Sequence, residues 1–205
     1  VPSEGQGPSR RMRGRPRSQA AQDSILLTAY RLLKAYGLQE VSTQQIAREA
    51  GVSTATLYRW WPSKEAILLD AFFAAAGKQL PFPQRGSPIE RLRVHAIRGM
   101  TWLASEDGRV MLRLIQAIQD DAVLRRQFLE RFYLPRRAAA REVIIQAMEV
   151  GELPPSTDPE LIMDVLYGPQ YFRLFLGHAP PDQAFAAAVF DLVIGPMRER
   201  RRSDR

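Results

Sequence analysis

Between residues 43 and 64 the sequence gathers side chains suited to gripping a polyanion. Thr43, Thr54, Thr56 and Tyr58 carry hydroxyls, Arg59 and Lys64 carry charge, Trp60 offers a flat face, and Ala55 leaves room beside them. Hydroxyls and amines donate to phosphate oxygens, and an arginine fork also fits the acceptor edge of guanine. Upstream, Arg13-Gly14-Arg15-Pro16-Arg17 matches the core of an AT-hook, in which Gly and Pro keep the chain thin and extended so that arginines enter a narrow minor groove. Other chemistries are poorly supplied. The absence of cysteine excludes disulfides and thiolate catalysis. His95 and His178 are too distant in sequence to suggest a zinc site. Glu106-Asp107 and Asp120-Asp121 are neighbours in sequence, and adjacent helical residues do not face each other. With no phosphate loop and no nucleophile elbow, the reading is of a binding protein without catalytic residues, metal or cofactor.

Charge placement agrees. Residues 1–64 hold ten Lys and Arg against four acids, a net +6 of the chain's +7, so the basic surplus is local. A basic segment on a near-neutral body suits a nucleic acid rather than general solubility. The arginines at 198, 200, 201 and 202 read as a solvated tail favourable to the last helix's dipole. No apolar run is long enough for a membrane span, and no apolar signal core opens the chain, so no membrane partner is expected and the cytoplasm is the default.

The elements that must position these groups are helices. Apolar residues recur at three and four, and Val, Ile and Thr never alternate as in strands. Residues 1–17 read as a disordered basic arm. A first helix is predicted from about Ser18 to Tyr36, closed by Gly37. Ser42 and Gln45 have capping-box spacing, Val41 and Ile46 that of a hydrophobic staple, and Gly51 ends the short helix they begin. Ser53 caps a third helix to about Trp61, with Leu57 and Trp61 facing inward. Lys64 opens a fourth, running through Gly77. Further helices are predicted from Pro88 to about Leu103, from about Gly108 to Gln119, and from about Ala122 to Val150 with a kink at Pro135. The last two run from Asp158 to about Gly177, interrupted at Gly168-Pro169, and from Asp182 to near Gly195-Pro196. Two short helices around a Gly-centred turn, with a third behind, form a helix-turn-helix.

The run from Ile46 to Leu68, with Gly51, Leu57, Tyr58, Pro62 and Lys64 in place, closely resembles the DNA-binding signature of the tetracycline-repressor (TetR) family. Trp61 stands where that family more commonly has Phe. The resemblance implies an all-α fold: a three-helix DNA-binding domain at 18–63 and a larger helical bundle at 64–205 for ligand binding and dimerisation. It implies that Thr54, Ala55 and Thr56 meet base edges or flanking backbone. Tyr58 and Trp60 would press on phosphate and sugar, Thr43 and Lys64 would hold phosphates, and Arg59 would reach a guanine edge or a phosphate. The implied function is a regulator of transcription, a repressor released from a palindromic operator. The alternatives are a constitutive or protein-controlled regulator and an architectural protein for A·T-rich DNA.

The last two predicted helices are apolar on more than one side, with Leu161, Val165 and Phe172 in one row and Phe185, Val189 and Leu192 in another. A helix apolar on two sides is buried on two sides, and the second side suggests a partner; the family resemblance implies that these two helices form a homodimer interface. Met100, Trp102, Met111, Ile115, Phe132, Met148, Tyr167 and Tyr171 are adaptable or amphipathic residues on helices expected to surround a pocket for a small apolar ligand.

Overall fold

The computed structural model describes the backbone of residues 15–76 and 80–203, and side chains over 19–76 and 80–198. Among the described residues ten α-helices follow one another: α1 (Arg15–Glu40), α2 (Thr43–Ala50), α3 (Thr54–Trp60), α4 (Lys64–Ala76), α5 (Pro88–Leu103), α6 (Glu106–Ala117), α7 (Ala122–Phe128), α8 (Leu134–Glu149), α9 (Pro159–Leu176) and α10 (Gln183–Ser203). A π-helical stretch, Leu129–Tyr133, joins α7 to α8. No strand occurs among the described residues.

Local signals set most boundaries. Gly37 turns the chain at φ 78° inside α1, and Gly51 closes α2 at φ 69°, a conformation that side chains with a Cβ resist. The Ser42, Ser53, Ser87, Ser105, Asp121 and Asp158 side chains each accept from a first-turn N–H of the helix that follows. Ser87 and Glu90 form a complete capping box. At α2 only half of the expected box forms, because the Gln45 amide turns to Glu49 at 3.3 Å.

Several expectations are corrected. α1 begins at Arg15, with Pro16 in its first turn, where a missing N–H costs little. Arg15 and Arg17 therefore belong to helical backbone rather than to an extended arm, and Arg13 lies outside the described residues. The predicted long helix from Ala122 is divided. The Leu134 N–H reaches back five residues to the Leu129 carbonyl. This widened turn comes just before Pro135, whose ring would crowd the carbonyl four residues earlier. α9 passes Gly168-Pro169 without interruption, and α10 passes Gly195-Pro196 to reach Ser203. In both, Gly precedes Pro and has no Cβ to clash with the proline ring, which relaxes the usual restriction on that residue.

Two apolar cores result. One joins Ile25, Leu32 and Leu33 of α1 to Ile46, Leu57, Ile67, Leu68 and Phe72, and continues through Met111 and Leu114 of α6 to Phe128 and Phe132. The other joins Leu92 of α5, Ile144 of α8, Met163 and Leu166 of α9, and Phe190 and Ile194 of α10. α4 shares its core with α1, so packing runs unbroken across the Ser63–Lys64 boundary. At Gly108 a Cβ would lie 2.2 Å from the Leu103 carbonyl oxygen, so glycine there lets α6 press against the end of α5. Lys34 on α1 pairs with both Glu106 and Asp107 of α6 at 2.9 Å. No helix among the described residues is long and apolar enough to cross a membrane.

Candidate DNA-binding face and interior cavity

α3 is held by its buried side. Leu57 is fully buried, and Trp61, which ends the helix, is 3% exposed. That anchoring turns Ala55, Tyr58 and Arg59 to solvent and leaves Thr54, Thr56 and Trp60 half-buried beside them. The Ser53 hydroxyl caps the Thr56 N–H at 3.2 Å and meets the Thr56 hydroxyl at 3.0 Å. The Arg59 guanidinium lies 5.4 Å from the Trp60 ring centroid, which keeps it beside the helix tip.

The structure brings Thr43 and Tyr58 together across the two helices, with hydroxyls 3.3 Å apart. Thr43 is itself buried, and its hydroxyl seats the exposed Tyr58. The Lys64 ammonium donates to the Leu38 carbonyl at 3.0 Å, which ties α4 to the end of α1 and leaves two of its three N–H bonds for an anion. Sequence reasoning missed Gln44 and Arg48, exposed on α2 beside this face. Their position after the Ser42 cap was the available signal. The nearby acid is neutralised: Arg31 bonds Glu49 at 2.6 Å and holds that carboxyl below its ordinary range.

A cavity of about 570 Å³ opens at the seam of the two cores. Trp102, Ile115, Phe132, Tyr167 and Tyr171 line it, as do Gly99, Phe128, Leu129, Tyr133 and Met163. Met100, Met111 and Met148 do not. The first two are fully buried packing, and Met148 packs on the second core. Adaptable side chains fill gaps as readily as they line them, so residue type alone could not separate the two cases.

Polar groups from several helices also line the cavity. His95 lies flat on Phe82 at 3.8 Å between centroids, and its Nδ1 is 2.9 Å from the Tyr167 hydroxyl. Burial lowers its pKa to about 4, assisted by the charges of Arg136 and Arg98 and opposed by a bond to the Leu80 carbonyl. The ring is therefore neutral near pH 7. Leu80 itself sits at φ 80°, a costly geometry for a branched residue. Burial pushes Tyr171 up to about 12 and raises Tyr167 further, so both phenols stay protonated. Arg136 stacks 3.7 Å from the Phe132 centroid and donates to the carbonyls of Phe132 and Ala76. Arg137 is held by Glu160 at 2.6 Å and Asp164 at 2.7 Å. Gln170, 1% exposed, donates to Leu166 and leaves its carbonyl oxygen without a protein partner.

Residues expected at a dimer interface divide. Leu161, Val165, Phe172 and Leu192 are exposed, joined by Phe175 and Leu176. Val189 is buried in the chain's own second core, and Phe185 is half-buried under the Arg173 guanidinium, 3.4 Å from its ring centroid. Phe185, Val189 and Leu192 stood in one row in the sequence, and the chain's own second core covers only part of that row. No group of three His, Asp or Glu side chains among the described residues is placed to hold a metal ion.

Residues 25–71 match the family "Bacterial regulatory proteins, tetR family", and residues 82–193 match "Tetracyclin repressor-like, C-terminal domain". The chain is 36% identical over 186 residues to the uncharacterized HTH-type transcriptional regulator YdeS of Bacillus subtilis, covering 91% of this chain and 92% of YdeS. It is 28% identical to the uncharacterized HTH-type transcriptional regulator Rv1556 of Mycobacterium tuberculosis, over 86% of this chain and 87% of that protein. Among solved structures it is similar to the TetR family transcription regulator SCO0332, with TM-score 0.69, 33% identity, and coverage of 85% of this chain and 97% of the other. The fold also matches the transcriptional regulator FadR from Bacillus subtilis in complex with stearoyl-CoA, with TM-score 0.65, 18% identity, and coverage of 84% and 97%.

Proposed function

The chain belongs to the TetR family of bacterial DNA-binding transcriptional regulators, and from that premise we propose that it is a repressor controlled by a small, largely apolar effector. The observation that carries this reading is one molecule holding both a capped α2–α3 pair with Ala55, Tyr58 and Arg59 exposed and a cavity of about 570 Å³ walled by aromatic side chains. That volume lies within the roughly 300–1,000 Å³ of small-molecule pockets. In this reading two α3 helices occupy successive major grooves of a palindromic operator, about 34–36 Å apart or a multiple of that turn. A ligand in the cavity spoils that spacing. The FadR likeness speaks for the fold alone; the case for an apolar ligand rests on this cavity's own walls.

The working form is a homodimer joined through α9 and α10. Leu161, Val165, Phe172 and Leu192 form an exposed apolar stripe of the kind that marks an interaction surface. We place the chain among binding proteins rather than enzymes, and in the cytoplasm with its DNA. The test is selection of bound duplexes from a random library, followed by calorimetric titration of a candidate apolar ligand into free protein and into the complex. An effector binds the DNA complex less tightly by the same factor by which it weakens DNA binding, so equal affinities exclude that compound. In sedimentation, Phe172→Asp and Leu192→Asp should each yield monomer, since an unpaired charge in an interface costs several kcal/mol, on the order of the free energy of association lost. A variant that stays dimeric places the interface elsewhere.

A further inference from the structure

Trp61, which stands where the family more commonly has Phe, has a bond that Phe could not make. Its Nε1–H donates to Asp70 Oδ2 at 2.7 Å. The indole is buried and packs edge-on against Trp60 at 5.7 Å between centroids, so this donor needs a protein acceptor. Asp70 lies on α4, and its other oxygen, Oδ1, accepts from Arg131 Nη1 at 2.5 Å. Arg131 belongs to the π-helical stretch, and its guanidinium lies 4.2 Å from the Phe73 centroid. The neighbours Leu129, Phe132 and Tyr133 in that stretch line the cavity.

We propose that Asp70 is a positioning residue that ties the end of the recognition helix to the cavity wall, with Trp61 and Arg131 on its two oxygens. The proposal rests on the reading that the cavity governs the DNA-binding face. A carboxylate is planar, so rotation about its Cβ–Cγ bond moves both oxygens together. A ligand pressing on Phe132 displaces the stretch that carries Arg131. Arg131 draws one oxygen of Asp70 with it, and the other oxygen shifts under Trp61 at the end of α3. The parts suit such a relay. A π-turn is an irregular point in the helical ladder, where a shift disturbs fewer regular bonds. The Arg131–Asp70 pair is partly exposed, at 48% and 24%, so it contributes little to stability and is readily remade. The Trp61 bond is drier and charge-assisted, so it holds while the carboxylate turns. Lys34 with Glu106 and Asp107 joins α6 to α1 and leaves α3 untouched.

Gly99 permits a test without a known effector. It lines the cavity, and a Cβ there would meet nothing within 4 Å, so Gly99→Leu places a side chain where a ligand would sit. In tryptophan-¹⁵N-labelled full-length protein, with the Trp61 indole signal assigned through Trp61→Phe, Gly99→Leu is expected to move that signal. The shift should fall by at least about half in Asp70→Asn and Arg131→Gln backgrounds, each of which breaks one side of the bridge. No movement in the otherwise wild-type protein, or equal movement in all three backgrounds, overturns the proposal. On a duplex recovered by selection, Trp61→Phe and Arg131→Gln should each weaken binding roughly tenfold, and the double variant should lose little more. Additive losses overturn it. A wild type that selects no duplex while its indole signal responds as expected refutes the DNA-binding reading and leaves the relay standing.

Discussion

In the α1–α4 half, Ile25, Leu33, Ile46, Leu57, Ile67 and Phe72 are all fully buried, whereas in the α5–α9 half Trp102, Ile115, Phe132 and Tyr171 border about 570 Å³ of space. The first half is organised by short-range chemistry: serine caps, a glycine turn, and an apolar stripe on each helix. The second is organised around a void, with neutral His95, the protonated Tyr167 and Tyr171, and three arginines, Arg125, Arg136 and Arg137, arranged along its walls. Close packing holds a reading head rigid, and rigidity is what docking into a groove of fixed geometry requires. Space and buried polar groups lower stability locally, which suits the proposed role of the cavity as a ligand site.

The contrast predicts unequal costs for equal truncations. Leu57→Ala should cost about 3–5 kcal/mol in urea unfolding, since it opens a cavity among fully buried neighbours. Ile115→Ala only enlarges existing space and should cost under about 2 kcal/mol. Equal losses would mean that the void is not real space in solution.

A pH series separates the halves next. The folded pKa of His95, about 4, lies below the roughly 6.5 of an unfolded histidine. Between those values the unfolded chain binds more protons, so stability rises with pH there. Full above about pH 6.5, this contribution should fall by about 2 kcal/mol by pH 5. In His95→Phe the pH 7-to-5 loss should shrink by that amount, while Leu57→Ala should keep the slope of the wild type. An unchanged slope in His95→Phe would place the sensitive group elsewhere.

Filling the void should reverse the sign of a mutation. Gly99→Leu is expected to raise the melting temperature, through about 1–2 kcal/mol of added apolar burial, while weakening DNA binding about tenfold. A gain in both would separate the cavity from the DNA-binding face. The smallest effect belongs to the reading surface. In the proposed docking Tyr58 meets the DNA backbone, so Tyr58→Phe should weaken binding a few-fold, by about 1 kcal/mol, uniformly across duplexes. A change in base preference would move Tyr58 from positioning to readout.

Legibility follows the same division. Ser42, Gly51, Ser53, Leu57 and Trp61 act over one to four residues, and the reading helices could be drawn from their spacing. The cavity was half legible. Trp102, Ile115, Phe132, Tyr167 and Tyr171 do line it, but Met100 and Met111 look the same in sequence and are plain packing. His95, Arg136 and Gln170 were not anticipated, because nothing in a lone polar residue on a helix tells whether it meets water or the interior. Trp61 was legible as a departure, and its partner Asp70 was not.

The sequence by itself determined the class of fold, the position of the DNA-binding helices, and the residues that cap and turn them, because those depend on interactions between near neighbours. Only the tertiary structure decided that Val189 of α10 faces inward while Leu192 stays exposed, that Gly168-Pro169 and Gly195-Pro196 pass through unbroken helices, and that Arg131 and Trp61, seventy residues apart, meet at one carboxylate. Those outcomes depend on how helices distant in the chain stack, and the spacing of apolar residues along one helix does not contain the identity of the helix that covers it.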